Sequence, residues 1–528
     1  MRLIDVMSIG TVHVRPMEEI GPEQFNLLSL ENLHNVRIAS TDSLPPDTPY
    51  LTLSHRWGSP PSILLSKKTS FLLTDDISPH LLNYGETAVF QHAIHLTRAL
   101  GFRYIWIDAL CIMQDDGPEK TTEIMHMDDI YSNSMLNIAA TEAKSREGLV
   151  FDRDILCTNP CRATVKIPDT QQNVRLQAFH EAWFLRPWEG PLNKRGWVFQ
   201  ERTLAPRIVH FTKDQVFWEC RCLEASEVLP QGVPRGPPPT TTDPNDSSRT
   251  NSASSDIIQK AKAKWYDLVE GYSHTSLSFV DDHLLAISAI AKRLCSETRR
   301  DPSDYLAGMW KDDLPQSMLW SETPLPGRTE PTSIQGEMKH APSWSWASIM
   351  APVSTVEFSS LVATTEVVSV EVARISPNVF DGTHSCLLRL RGPVCKFRRH
   401  LRDGVPWIQV GQDKTEFQEF HDFDFQKGRA ILIYWDTSRS ATAAADEFFF
   451  LLHIASEHSE DGLIERGIIL RRTAECGTYA RVGSFFIPFK SEYPGSELED
   501  AFKGHLSTLD TADYVEFGSD GKYTIDII

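Results

Sequence analysis

Apolar residues in this chain come first as short, nearly continuous runs and later as alternating ones, and the change of pattern divides the molecule. Tyr50-Leu-Thr-Leu-Ser54 is a short run closed by the turn His55-Arg-Trp-Gly-Ser-Pro-Pro61. Tyr104-Ile-Trp-Ile-Asp-Ala-Leu-Cys-Ile112 is longer and more hydrophobic, and Met135-Leu-Asn-Ile-Ala-Ala140 is a third. Thr87 is placed to cap a helix to Leu100, with Val89, Ala93, Leu96 and Leu100 at helical spacing and Gly101 just past the end. A polar helix from about Glu119 to Tyr131 separates the second and third runs. Strand, helix, strand, helix, strand, with strands too continuously apolar for a half-wet sheet, predicts an α/β domain on a parallel sheet covered on both faces. Such sheets bind ligands beyond the carboxyl ends of their strands. Those ends carry Ser54, Arg56, Trp57, Gly58, Asp108 and Gln114.

Residues from about Glu147 to Asn193 show no clear period and read as an irregular insertion. After them Arg195-Gly-Trp-Val-Phe-Gln-Glu-Arg202 and Thr203-Leu204 form a short amphipathic helix ended by Pro206, which cannot donate the next helical hydrogen bond. Trp197 and Glu201 lie one turn apart on it. Strands Arg207–Thr212 and Gln215–Cys220 follow at once.

A Pro/Ser/Thr-rich stretch with almost no large apolar residue then predicts a flexible linker over 230–256, so residues 1–229 form the first domain. Residues 257–350 read as helical, with stripes through Trp265, Leu268, Val269 and Tyr272 and through Leu284, Leu285, Ile287, Ile290 and Ala291. Residues 351–528 turn to strands with turn signals, among them Val367–Val372, Cys386–Leu390, Ile431–Trp435, Phe448–Ile454, Ile468–Leu470 and Val482–Ile487. That composition predicts an antiparallel, β-rich carboxyl-terminal sheet or sandwich.

Charge and cysteine use narrow the functional classes. A formal net charge of −19 argues against a general nucleic-acid binder, since phosphate binding needs clustered Lys and Arg. A local basic pocket for a small anion stays open. No apolar run is long enough to span a membrane, and Met1-Arg-Leu-Ile-Asp-Val lacks the apolar region of a signal peptide. Nine scattered cysteines fit a reducing compartment, so a cytoplasmic location is expected. Cys157, Cys161, Cys220 and Cys222 do not have the spacing of a common zinc ribbon, and no metal site is expected. His92 and His95 share a helical face without a metalloprotease pattern and read as solvated. Neither a Walker A nor a Rossmann glycine fingerprint occurs.

Three blocks in order resemble the fungal heterokaryon-incompatibility (HET) domain: Tyr50 to Gly58, Tyr104 to Asp116 and Arg195 to Arg202. Leu204 to Phe211 and Gln215 to Cys220 extend the likeness, as do Asp282–Ala291, Tyr305–Trp310 and Pro342–Ser348, and more loosely Gly462 to Phe486. Met113 departs from it, standing where the family's pattern Cys-Ile-Asn-Gln has Asn. The resemblance implies a role in non-self recognition between fungal cells, ending in growth arrest or programmed death, a form of innate immunity. It also implies a protein partner or allelic regulator. The HET domain is similar in turn to Toll/interleukin-1 receptor (TIR) domains, which share a flavodoxin-like parallel sheet. Many of those carry Trp-x-x-x-Glu on a helix with a Glu that acts in cleaving NAD, and Trp197 and Glu201 reproduce the spacing.

The chemistry this implies is an NAD(P) glycohydrolase with NAD as substrate and no resident cofactor. Breaking the nicotinamide–ribose bond passes through an oxocarbenium-like state, which a carboxylate such as Glu201 stabilises. Arg56 is suited to a diphosphate and Gly58 to close backbone approach, or else the stretch is a tight turn with Trp57 packed inward. Asp108, inside an apolar run, needs a partner: it binds ribose hydroxyls or caps neighbouring backbone. Ser54, Gln114 and Trp197 complete the expected ligand site. Cys111 reads as a buried small hydrophobe. Against this stands Glu201 as a helix brace paired with Arg195 or Arg202. With that brace goes a second function, a non-enzymatic signalling module that acts by self-association. A carboxylate turned into a pocket favours the enzyme, and one turned outward favours the module.

Overall fold

The computed structural model describes residues 1–6, 36–57, 63–74, 77, 87–115, 117–143, 148–149, 151, 153, 155–158, 161–166, 173–178, 189–232, 264–323, 341–358, 360–374, 378–380, 383–402, 405–410, 415–420, 430–436, 448–459, 462–490 and 509–528. It divides into two compact units, Met1–Pro244 and Asn245–Ile528. The linker expected over 230–256 lies, from residue 233 onward, outside the described residues.

The first unit is built on β1 (Arg2–Asp5), β2 (Arg37–Ser40), β3 (Tyr50–Ser54), β4 (Tyr104–Ile107), β5 (Leu136–Ala139), β8 (Arg207–Phe211), β9 (Val216–Cys220) and β10 (Glu224–Ser226). These form one eight-stranded sheet in the order β10-β9-β8-β5-β3-β4-β1-β2. The four inner strands are parallel, with Leu53 opposite Ile107 on β4 and Ile138 on β5, and Asn137 opposite Ile208. Antiparallel pairs extend both sides. The sheet is therefore the α/β sheet expected, with a parallel centre and antiparallel margins. Every residue of β3 is buried, as befits a strand covered on both faces.

Helices follow the sequence closely where the period is long. Alongside the short α1 (Ser70–Thr74), α2 runs Ala88–Ala99, and Gly101 takes φ +79° just beyond it, a conformation that favours glycine. Thr87 precedes α2 but makes no side-chain capping bond. His95 on α2 is 8% exposed and His92 accepts a hydrogen bond from the Leu149 N–H at 2.9 Å, so this pair is packed rather than solvated.

The apolar run Tyr104–Ile112 is strand only to Ile107. From Asp108 it coils into one helical turn, α3 (Asp108–Cys111). A run buried all round cannot be assigned to strand or helix by periodicity, and here the backbone turns where Asp108 bonds the next N–H. The polar helix is split into α4 (Pro118–Met125) and α5 (Met127–Ser132).

The insertion contains a short helix, α6 (Ile155–Thr158), and an antiparallel hairpin, β6 (Cys161–Lys166) with β7 (Asn173–Ala178). Helix α7 (Gly196–Leu204) follows and leads into β8, with Val198 packed in a core of Ala139, Leu192 and Ile208.

In the second unit, helices over 264–273 and Leu285–Thr298 pack their apolar stripes inward, with Trp265, Val269, Tyr272, Ile287 and Ile290 buried. Trp310, Trp320, Trp344 and Trp346 are buried with them. Its main sheet has twelve strands among the described residues and is mostly antiparallel, with two parallel pairings. No helix among the described residues is long and apolar enough to cross a membrane.

Candidate functional site

Because β3 and β4 are adjacent, parallel and end in register, the residues that follow them emerge side by side at one edge of the sheet. Ser54 closes β3 and Asp108 opens α3 directly after β4. Thr52 and Ser54, two residues apart, share a sheet face, and Asn137 stands opposite Thr52 on β5. Three polar side chains thus line one face of otherwise apolar strands, and each needs a partner.

They find partners in one another. Thr52 Oγ1 donates to Asn137 Oδ1 at 3.0 Å, and Asn137 Nδ2 donates to Ser54 Oγ at 3.0 Å. Ser54 Oγ donates to Glu201 Oε2, which α7 lays over this face. Tyr131 on α5 brings its hydroxyl to both Ser54 and Glu201. Its ring is held edge-on by Trp106 of β4, with centroids 5.6 Å apart. Tyr50 Oη binds the Ile130 carbonyl at 2.7 Å and fixes α5 against β3.

Glu201 is 8% exposed. Burial, opposed by hydrogen bonds from Ser54 and Tyr131 and by the charge of Arg195, pushes its carboxyl up to about 7, with nearby Asp108 adding to the rise. It titrates around neutrality, where a functional carboxyl is most responsive to its surroundings.

Asp108 is more open, its side chain 27% exposed. Trp57 Nε1 donates to its Oδ2 at 2.7 Å and the Ala109 N–H to its Oδ1 at 2.7 Å. His55 Nδ1 lies 3.5 Å from Oδ1 but makes no hydrogen bond. Burial depresses the His55 imidazole more than Asp108 raises it, so the ring is neutral near pH 7 and the contact is not an ion pair. Its ring packs edge-on against Phe90 at 4.9 Å. Arg195, just before α7, donates to the His55 carbonyl at 2.6 Å and ties the turn after β3 to the helix that carries Glu201.

Of the residues singled out from the sequence, Ser54, Trp57, Asp108 and Glu201 come together at this edge. Gln114 serves the backbone instead, its Nε2 donating to the carbonyls of Asp108 and Ile112, each at 3.0 Å. Arg56 and Trp197 are half-buried, and Gly58 lies outside the described residues. Arg202 turns away to Glu219, which it grips through two bonds of 2.9 and 3.1 Å. Cys111 is buried, and burial pushes its thiol up to about 12, which suits a packing residue.

Thr52, His55, Tyr131 and Asn137 join the site without having been singled out, and Arg195, expected only as a brace for Glu201, acts on its carboxyl there. The signal for Thr52 and Asn137 was present, a polar residue at the centre of an apolar strand. That for Tyr131 was not, because it follows from how α5 packs. No group of three or more His, Cys, Asp or Glu among the described residues is placed to hold a metal.

The family model described as heterokaryon incompatibility protein (HET) matches residues 50–201, a span that begins with β3 and ends on Glu201. No curated protein and no solved structure matches the chain.

Proposed function

The chain is a heterokaryon-incompatibility-domain protein, and from that premise we propose that it acts in fungal non-self recognition as an effector of programmed cell death by cleaving NAD. The observation that carries the enzymatic reading is the direction of Glu201. Its carboxylate is turned inward onto Ser54 at the carboxyl edge of a parallel sheet, beside a second carboxylate that reaches solvent. An outward carboxylate would favour a module that works by self-association alone.

In this reading NAD and water give ADP-ribose, nicotinamide and a proton. The carbon–nitrogen bond to the ribose breaks, its electron pair leaves with nicotinamide as a neutral base, and water closes on the oxocarbenium-like centre. No acid is needed for the leaving group, so the task left to the protein is charge stabilisation and orientation. Glu201 supplies the negative charge. Asp108, oriented by Trp57 Nε1, takes the ribose hydroxyls. Arg56 meets the diphosphate.

The test is nicotinamide release from NAD by the purified full chain, repeated at high protein concentration. Release that disappears in a folded Glu201→Gln variant supports the reading. No release at any concentration, with cell killing intact in that variant, replaces it with self-association.

A further inference from the structure

We propose that Thr52, Asn137, Ser54 and Tyr131 are positioning residues. Together they form a hydrogen-bonded chain that ends on Glu201, favours the charged form of its carboxyl against burial and so sets the pH at which the site works. This deepens the reading of Glu201 given above and rests on it for the link to activity, though not for the titration itself.

The direction of the chain follows from counting protons. Asn137 Oδ1 is taken by the Thr52 hydroxyl at 3.0 Å, and Asn137 Nδ2 gives a proton to Ser54 Oγ at 3.0 Å. Ser54 has one proton to give. Its other acceptor is the neutral amide oxygen Asn137 Oδ1, at 3.2 Å, whereas Glu201 Oε2 is closer and carries charge when ionised. The proton therefore points at the carboxylate. Tyr131 adds a hydroxyl from α5 that meets both Ser54 and Glu201, with its buried ring edge-on to Trp106. From Thr52 through Asn137 and Ser54 each link gives in the same sense, and hydrogen bonds given to a carboxylate favour its charged form.

Two effects oppose the chain. Burial of Glu201 favours the neutral acid, and the charge of Asp108 does the same. Arg195, at the start of α7, sides with the donors. The groups that face Glu201 from β3, α5, α3 and the approach to α7 are thus Ser54, Tyr131, Asp108 and Arg195, two kinds pulling against each other. The balance holds the carboxyl at about 7. A carboxyl kept ionisable in a dry place is ready for a developing positive charge without reorganisation of solvent.

The sign of each contribution makes the proposal testable. The Glu201 titration is read in the full chain by infrared difference spectroscopy of the carboxyl band, with Glu201→Gln as the reference that identifies it. Tyr131→Phe, which keeps the ring against Trp106, and Ser54→Ala should each move the midpoint upward by on the order of one pH unit. Asp108→Asn should move it downward. The acid limb of NAD cleavage should follow the same shifts, whereas a purely structural role changes the melting temperature and leaves the midpoint where it was. Midpoints that stay fixed, or that move the same way in all three variants, overturn the proposal. If Ser54→Ala does not fold, the opposed signs of Tyr131→Phe and Asp108→Asn decide it. Opposed shifts in a chain that never cleaves NAD leave the donor chain standing and remove the enzymatic reading.

Discussion

Ser54 and Glu201 are 147 residues apart in the chain, and the hydroxyl of the first donates to the carboxylate of the second. The bond joins the last residue of an inner strand to a helix that enters the fold only after the insertion. It also holds a carboxylate in a place where burial disfavours its charge, an arrangement that costs stability and so has the mark of a functional site.

That cost gives the first prediction. Glu201 titrates at about 7 in the folded chain against an ordinary value of 4.5. Between these two values the folded state binds the proton more tightly than the unfolded one, so stability falls as pH rises from about 4.5 to 7 and stays lowered above. Glu201→Gln removes the charge and keeps an acceptor for Ser54. At pH 8 it should raise the unfolding free energy by on the order of 2 kcal/mol, while at pH 5 it changes little. Turnover should fall by a factor of about a hundred. A variant less stable than the parent at pH 8 would mean that the carboxylate braces the helix.

A second titration belongs to the other unit. His283 is 5% exposed, its ring stacked on Tyr272 at 5.6 Å and edge-on to Trp346 at 5.2 Å. Burial pulls its imidazole down to about 4. The folded pKa is depressed, so the unfolded chain takes up the proton first, and stability is lost as pH falls from about 6.5 towards 4. His283→Gln cannot titrate there. Its unfolding free energy should lose less over that interval than the parent's, by on the order of 2–3 kcal/mol, measured by urea denaturation. Equal losses in the two proteins would show that the ring is protonated in the fold.

How much of this was readable from the chain depends on the range of the forces involved. β3 was legible because its run is short, apolar and closed by a turn, and α7 because Pro206 stops it. The run from Tyr104 misled as to its end, since Ala109, Leu110 and Cys111 are buried in a helical turn as thoroughly as they would be in a strand. The β6–β7 hairpin was not legible: β6 is exposed at every position and carries no alternation to betray it. Ser54 and Glu201 could be named from motif spacing, but their contact is tertiary. The strand order of the second sheet is set in the same way, by distant pairing such as Phe397 with Phe449.

Arg481 and Asp436 offer a test of that second core. Both are buried, joined by a 2.8 Å bond, with the guanidinium 3.3 Å over the Trp320 ring and a further 2.6 Å bond to the Trp320 carbonyl. Burial already pushes the Asp436 carboxyl up to about 7 against the pull of Arg481. Arg481→Met strands that carboxylate and should cost on the order of 3–5 kcal/mol, more at pH 8 than at pH 5.5 where the acid takes its proton. Adding Asp436→Leu should recover much of the loss. Thermal melts at both pH values measure this, and a double variant no better than the single one counts against a stranded charge.

The last prediction concerns Trp57, whose indole N–H is one of two donors that orient Asp108. Trp57→Phe keeps an aromatic ring in the turn but withdraws that donor. If Asp108 holds the ribose, freeing its Oδ2 should lower kcat/KM for NAD by about tenfold, the cost of a charged hydrogen bond left unmade. Asp108→Asn should cost at least as much. The double variant should be hardly worse than Asp108→Asn alone, since the indole acts only through the carboxylate. Additive losses would mean that Trp57 meets the ligand with its own ring and that Asp108 serves a separate purpose, such as capping the Ala109 N–H. The cycle separates these because both residues lie at one strand end and share a single 2.7 Å bond.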